Sequence, residues 1–175
     1  MPLYEMLMLW FCSEMRKGWL IWVGVIGMLS NSAASQEKSP FPVHDRAVAY
    51  AFNQGEGQLQ SILHEGKLNP TTSEKLARPL KGKQLDELAS FVTGERSKHE
   101  KADCYYPRHA VVFYLGKKPV GYVEVCFECY EYRSDIKGLA KTWDLSGLAG
   151  FFRALKFPVN WNDKLFKRLN PDARQ

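Results

Sequence analysis

The fold is decided by the stretch Cys104-Tyr-Tyr-Pro-Arg-His109-Ala-Val-Val-Phe-Tyr-Leu115, followed by Gly116-Lys-Lys-Pro119 and then by Val120-Gly-Tyr-Val-Glu-Val-Cys126-Phe-Glu-Cys129. Its two apolar segments, residues 109–115 and 120–125, are rich in the β-branched and aromatic side chains that are typical of strands. The residues between them include a glycine and a proline, which are typical of a turn. The stretch therefore predicts an antiparallel β-hairpin.

Two weaker apolar patterns precede the hairpin. Ala47, Val48, Ala51 and Phe52 recur at helical spacing, which predicts a helix within residues 44–54. Residues 59–63 predict a second, shorter helix that ends at Gly66.

Stronger patterns follow these two segments in the sequence. Residues 85–92 and 145–155 carry clear helical stripes of apolar side chains, and residues 76–80 predict a short edge strand. We therefore expect a small single-domain α+β fold, in which a central antiparallel hairpin or sheet is covered on one side by several short helices.

Composition and charge exclude several classes of protein. The chain has 175 residues, which suits one domain, and its apolar fraction of 45% argues against a disordered chain or a coiled coil. It carries 24 Lys and Arg against 19 Asp and Glu, and the two signs are interleaved along the chain, so no nucleic-acid partner is predicted. No phosphate-binding loop, His-Glu-x-x-His helix or Gly-x-Ser-x-Gly elbow is present, so no reaction is predicted.

The N-terminal segment predicts export. Arg16 and Lys17 precede an apolar run over residues 18–29, and small polar residues follow it. This order is typical of a secretory signal peptide, which we predict over residues 1–34, with Met15 favoured as the true start. The run is shorter than the roughly 20 residues that a spanning helix needs, so no stable membrane span is expected after cleavage.

The rest of the chain divides simply. Residues 35–43 read as an extended lead-in, residues 44–168 as one globular α+β domain, and residues 169–175 as a C-terminal tail. The predicted location is the periplasm or the extracellular medium, where an envelope protein is the expected partner.

Removal of the signal peptide leaves three cysteines: Cys104, Cys126 and Cys129. A hairpin returns the chain to its starting end, so all three are expected to lie near His109. Three thiolates and one imidazole can complete a tetrahedral zinc site, and Cu(I) also suits soft ligands. Cys104, His109, Cys126 and Cys129 are therefore the predicted metal ligands, with zinc or copper as the metal.

The same residues allow other uses. In an oxidising compartment Cys126 and Cys129 can form a local disulfide, or Cys104 can pair with either of them, and the third thiol is then a small buried hydrophobe. Cys126 and Cys129 could also serve in thiol–disulfide redox chemistry. A thioredoxin-like Cys-x-x-Cys segment begins a helix, however, and the residues after Cys129 do not have a helical pattern. An odd number of cysteines cannot pair completely within the chain.

Register decides whether His109 and Cys126 meet. Side chains alternate along a strand, so an even number of loop residues places them on the same face and an odd number on opposite faces. The four-residue loop predicted over residues 116–119 favours the same face, whereas a three-residue loop, which is also common, would place the two residues on opposite faces.

Aromatic residues concentrate in the same region. Residues 104–132 hold eight of the 23 aromatics, including six of the eight tyrosines. Cross-strand packing explains such a cluster, and a Tyr-rich surface that binds a partner is the alternative. Arg108 is expected to pair with Glu124 or Glu128.

The motif formed by Cys104-Tyr-Tyr-Pro-Arg-His109 and Val125-Cys126-Phe-Glu-Cys129 resembles that of a group of uncharacterised secreted bacterial proteins. These proteins carry a Cys-x-x-Pro-Arg-His or -Asn strand and an Ile-Cys-Phe-x-Cys strand end. The resemblance implies that the cluster is one unit in a secreted protein, and it implies no activity. The sequence thus predicts a non-enzymatic accessory protein that binds a metal or is disulfide-stabilised, with a thiol redox protein or an envelope interaction module as alternatives.

Overall fold

The structure is a computed structural model. It describes residues 39–53, 61–72, 74–94, 96, 99–101, 103–162, 164, 167, 168 and 171. The predicted signal peptide, the first four residues of the predicted lead-in and most of the predicted tail lie outside the described residues.

The described residues contain a five-stranded antiparallel sheet, a two-stranded ribbon and two α-helices, which confirms the α+β prediction. The strands of the sheet follow the spatial order β4-β1-β5-β6-β7. In chain order the elements are β1 (Arg46–Ala51), β2 (Leu63–His64), β3 (Lys67–Leu68), β4 (Arg78–Pro79), α1 (Gly82–Thr93), β5 (His109–Leu115), β6 (Lys118–Cys126), β7 (Glu131–Ser134) and α2 (Leu145–Ala154).

The predicted hairpin is confirmed as β5 and β6, but its turn is shorter than expected. The loop comprises only Gly116 and Lys117, because β6 already begins at Lys118. Gly116 adopts a positive φ of 61°, which glycine reaches without steric cost, and its N–H donates to a carboxylate oxygen of Asp45 at 2.6 Å. The register then shifts between Phe113 and Tyr114, where the pairing is irregular.

The helix predicted over residues 44–54 is wrong where the structure describes it, because β1 (Arg46–Ala51) is an interior strand of the sheet. β1 pairs with β5 along its whole length, from Arg46 opposite Tyr114 to Ala51 opposite His109. Its last five residues are all buried. A strand that is buried on both faces reads as a continuous apolar run, which periodicity cannot distinguish from a buried helix.

The helix predicted over residues 59–63 is also wrong where the structure describes it. Leu63 and His64 form β2, which pairs with β3 in a short ribbon. Glu65 and Gly66 both adopt positive φ, at 49° and 74°, so Gly66 serves a hairpin turn and does not end a helix.

The sheet has two apolar faces. The helix face packs against α1 and α2, and the ribbon face packs against Ile62 and the β2–β3 ribbon. The apolar sheet residues of the helix face are Ala47, Ala49, Ala51, Val111, Phe113, Val120, Val123, Val125 and Tyr132, and those of the ribbon face are Val48, Tyr50, Ala110, Val112, Tyr114 and Tyr122. Among the described residues both α-helices therefore pack on one side of the sheet, as the sequence predicts.

Both strongly patterned helices are confirmed. The α1 helix buries Leu88 and Val92, and α2 begins after Asp144, whose side chain accepts a hydrogen bond from the Gly147 N–H at 2.8 Å. The predicted edge strand is confirmed as β4, whereas β7 at the opposite edge was not predicted. No described helix is long and apolar enough to cross a membrane.

Close packing between the two helices generates a test of the fold. A Cβ atom at Gly147 would lie 2.4 and 2.5 Å from two ring carbons of Phe91, whereas one at Gly150 of the same helix would meet nothing within 4 Å. We expect Gly147→Ala to lower the free energy of unfolding by about 1–3 kcal/mol, because overpacking displaces the ring.

Gly150→Ala is the matched control. It gains helix propensity without a clash, so it should raise the free energy of unfolding by up to about 1 kcal/mol. Urea denaturation of both variants makes the comparison, and equal effects would contradict the packing of Phe91 on Gly147.

Candidate functional site

A disulfide bond joins Cys104 to Cys129, and Cys126 is a free, buried thiol. The bonded pair is separated by 25 residues in the sequence, and its Cα atoms lie 5.7 Å apart. In the chain-entropy account, closing a loop of this length stabilises the fold by about 3.5 kcal/mol. Of the three pairings that the sequence allows, the structure has Cys104–Cys129, one of the two that join distant segments.

The Cys126-x-x-Cys129 segment forms a turn at the end of β6. β6 ends at Cys126, residues 127–130 turn, and Tyr130 takes a positive φ of 52°. The N–H of Cys129 donates to the sulfur of Cys126 at 3.2 Å. Burial raises the pKa of the Cys126 thiol, so the thiol form predominates at neutral pH.

His109 begins β5 on the helix face, where it is 2% exposed. Its Nε2 donates to the carbonyl oxygen of Pro158 at 2.8 Å, which fixes the neutral tautomer, and its Nδ1 has no hydrogen-bond partner among the described residues. The rings of Phe127 and Phe152 lie 5.3 and 5.1 Å from the imidazole. Burial lowers its pKa to about 4, because protonation would place a charge in this aromatic shell.

The four predicted metal ligands do not form a ligand set in this state. His109 lies opposite Val125 in the sheet, and both side chains face the helices. Cys126 is the next residue of β6, so its side chain leaves the strand on the opposite face. Two of the three sulfurs are bonded to each other. Within the described part of the chain, no group of three or more His, Cys, Asp or Glu residues could hold a metal ion.

A zinc or copper site that uses all four residues would therefore require reduction of the disulfide and rearrangement of the end of β6. It stays a prediction for a reduced form of the protein.

A buried carboxylate lies on the ribbon face of β6. Glu124 is only 1% exposed, and it accepts three hydrogen bonds, each 2.8 Å long. Its Oε2 accepts from the hydroxyl of Ser61 and the N–H of Ile62, and its Oε1 accepts from the hydroxyl of Tyr105. Donors on three sides compensate the desolvation of the charge, and they tie the segments around residues 61 and 105 to the sheet.

Tyr105 connects this carboxylate to the surface. The guanidinium carbon of Arg133 lies 3.7 Å from the centre of the Tyr105 ring, within the range of a cation–π contact. Burial raises the pKa of the Tyr105 hydroxyl, and the neighbouring Glu124 raises it further. The hydroxyl is therefore a permanent donor to Glu124, which fixes the ring as a platform for Arg133.

The Arg133 cleft lies beside this platform. It has a volume of about 390 Å³ and opens to solvent. One oxygen of Glu131 lies 3.8 Å from both the Lys101 ammonium and an Arg133 guanidinium nitrogen. The cleft is lined by Lys101, Asp103, Cys104, Tyr105, Glu131 and Arg133.

A second, small cavity of about 10 Å³ is lined by residues that include Arg108 and Glu128. The Nε of Arg108 lies 3.4 Å from a carboxylate oxygen of Glu128 there, so Glu128 is the partner of Arg108, one of the two that were predicted. Arg108 also donates to the carbonyl oxygen of Asn53, which joins the end of β1 to the start of β5.

Sequence reasoning missed the roles of Glu124, Tyr105 and Arg133. A glutamate between two valines of a strand usually faces solvent, and the segment that buries it lies more than 60 residues away. The burial of Glu124 could have been recognised only if the sequence had shown that the segment around residues 61 and 62 packs on this face of the sheet.

No protein-family model, curated protein or solved structure significantly matches the chain.

The buried carboxylate gives the first prediction for this site. Glu124→Gln replaces one acceptor oxygen by an amide that donates, so at least one of the three donors loses its partner. We expect the free energy of unfolding to fall by about 1.5–3 kcal/mol in urea denaturation. The exposed Glu128→Gln should change it by about 0.5 kcal/mol or less, and a similar loss in both variants would contradict a special role for Glu124.

His109 gives a prediction for pH. Its folded pKa of about 4 lies below the unfolded value of 6.5, so the unfolded chain binds more protons between these values. The stability that depends on neutral His109 is therefore complete above pH 6.5 and decreases as pH falls toward 4, by about 3 kcal/mol in total.

His109→Gln keeps a donor for the Pro158 carbonyl and removes the titration. Denaturation curves between pH 7 and 4 should show a weaker pH dependence for this variant than for the parent chain. An unchanged pH dependence in His109→Gln would show that the imidazole is protonated equally in both states.

Proposed function

We propose that the chain is a secreted or periplasmic, non-enzymatic accessory protein that is stabilised by its disulfide and contacts an envelope protein through the Arg133 cleft. The observation that carries this proposal is the Cys104–Cys129 bond, which holds one wall of the cleft against the end of the sheet.

One observation and two predictions from the sequence support the compartment. A disulfide in a small domain persists in oxidising compartments outside the cytoplasm and is rare inside it. The predicted signal peptide over residues 1–34 and the resemblance of residues 104–129 to uncharacterised secreted bacterial proteins agree with this location.

The construction of the cleft supports a binding role. Arg133 is exposed on 56% of its side chain, yet the Tyr105 ring beneath it and the carboxylate of Glu131 beside it restrict its position. A positioned guanidinium on an aromatic ring loses little conformational freedom on binding, and it can form paired hydrogen bonds with a carboxylate. We therefore infer that the partner presents an acidic side chain or a chain terminus to Arg133.

Photo-crosslinking in the native host tests this function. A benzophenone amino acid replaces Asp103, which is exposed at the cleft, or Leu115, which is exposed at the hairpin turn. We expect a chain processed after Ala34 in the extracytoplasmic fraction, with one discrete protein adduct from position 103 and none from position 115.

Arg133→Glu in the position-103 chain provides the matched control, since it reverses the charge that should bind the partner, and it should reduce the adduct by about ten-fold. A chain that stays in the cytoplasm with all cysteines reduced, or adducts that form equally from both positions, would refute the proposal.

A further inference from the structure

The three cysteines differ in their access to solvent. Cys126 and Cys129 are fully buried, whereas Cys104 is half-buried and lines the Arg133 cleft. The free thiol is thus in the core, while the disulfide is accessible from the cleft only on its Cys104 side. A reagent in the cleft can approach Cys104 but neither of its two neighbours in the cluster.

Cys126 precedes the turn that carries the buried half of the disulfide. Its sulfur accepts a hydrogen bond from the N–H of Cys129, the residue that contributes the buried half of the bond. Two cysteines separated by two residues can form a disulfide with little backbone movement, as redox-active Cys-x-x-Cys segments do. The free thiol therefore has an alternative partner within the same turn.

We propose that Cys126 is an internal nucleophile that exchanges the Cys104–Cys129 bond for a Cys126–Cys129 bond, and that the released Cys104 is a site of mixed-disulfide formation with small disulfides that enter the Arg133 cleft. This role goes beyond the proposed binding function and does not depend on it.

The exchange is balanced without an external oxidant or reductant. The Cys126 sulfur, after losing its proton, attacks the sulfur of Cys129; a Cys126–Cys129 bond forms, the Cys104–Cys129 bond breaks, and the electron pair leaves on Cys104, which takes up the proton. In the second step Cys104 attacks a disulfide RSSR, which yields the mixed disulfide at Cys104 and releases RSH. Uncatalysed rearrangements of this kind take minutes to hours.

The cleft indicates the class of small disulfide. Its Lys101 and Arg133 side chains are cationic, and both contact the single carboxylate of Glu131, while Asp103 adds a second acid at the edge. A disulfide whose arms carry carboxylates can bind to the two cations as the sulfur approaches Cys104. Oxidised glutathione belongs to this class and serves as the probe.

Peptide mapping tests the proposal directly. The dilute full chain is incubated with oxidised glutathione at pH 8 without denaturant, quenched with acid and digested with trypsin without reductant. Trypsin separates Cys104, in residues 102–108, from Cys126 and Cys129, in residues 118–133, and Cys12 falls in residues 1–16. We expect residues 102–108 to carry glutathione and residues 118–133 to contain an internal disulfide. A second cleavage after Glu128 separates Cys126 from Cys129 in the chain, so the two fragments should stay linked through that disulfide.

Cys126→Ser is the control for the nucleophile, and Cys126→Ala is a second variant in case serine perturbs the core. In both variants the Cys104–Cys129 bond should keep residues 102–108 linked to residues 118–133. The modification of Cys104 should be slower by about ten-fold or more. Equal rates with and without Cys126 would overturn the proposal, as would glutathione on Cys126 with the original bond intact, or no modification at all.

A final comparison separates exchange in the folded protein from exchange in unfolded chains. The reaction is repeated in urea concentrations well below the unfolding transition. The rate should stay constant if the folded protein reacts, and a rate that rises in proportion to the unfolded fraction would overturn the proposal.

Discussion

The pairing of β5 with β6 is the constraint on which the rest of the structure depends. It places His109 opposite Val125 and Ala110 opposite Glu124, so adjacent residues of one strand enter different environments. His109 is buried among aromatic rings on the helix face, while Glu124 collects three donors on the ribbon face. A slip of β6 by one residue relative to β5 would move Glu124 from the donors of the ribbon face to the apolar helix face, while His109 kept its place.

The elements that could be predicted from the sequence are those whose signal is local. The β5–β6 hairpin, α1 and α2 each carry their own periodicity and their own turn or capping residues, such as Gly116 and Asp144. β1 was missed because it is buried on both faces by elements distant in the sequence. β7 was missed because its four residues, which include Glu131 and Arg133, owe their conformation to β6 and not to an apolar pattern of their own.

The candidate site divides in the same way. The sequence could gather Cys104, His109, Cys126 and Cys129 at one end of a hairpin, since that requires only chain reversal. It could not choose among the pairings, because the choice depends on the shortened turn, the irregular register after Phe113 and the twist of residues 127–130. These shifts of one or two residues determine which sulfur bonds to Cys104. The spacing of residues in the sequence cannot predict register to that precision.

The disulfide and the fold stabilise each other. In an unfolded chain a loop of 25 residues closes far less readily than the short loop between Cys126 and Cys129, by roughly 20-fold on loop-closure entropy alone. The long-range bond is therefore selected by the folded structure, which holds Cys104 against Cys129 and buries Cys126 beside them. Linkage requires the reverse as well: any influence that favours the short bond weakens the fold, and any contact at the Arg133 cleft that holds Cys104 in place strengthens it.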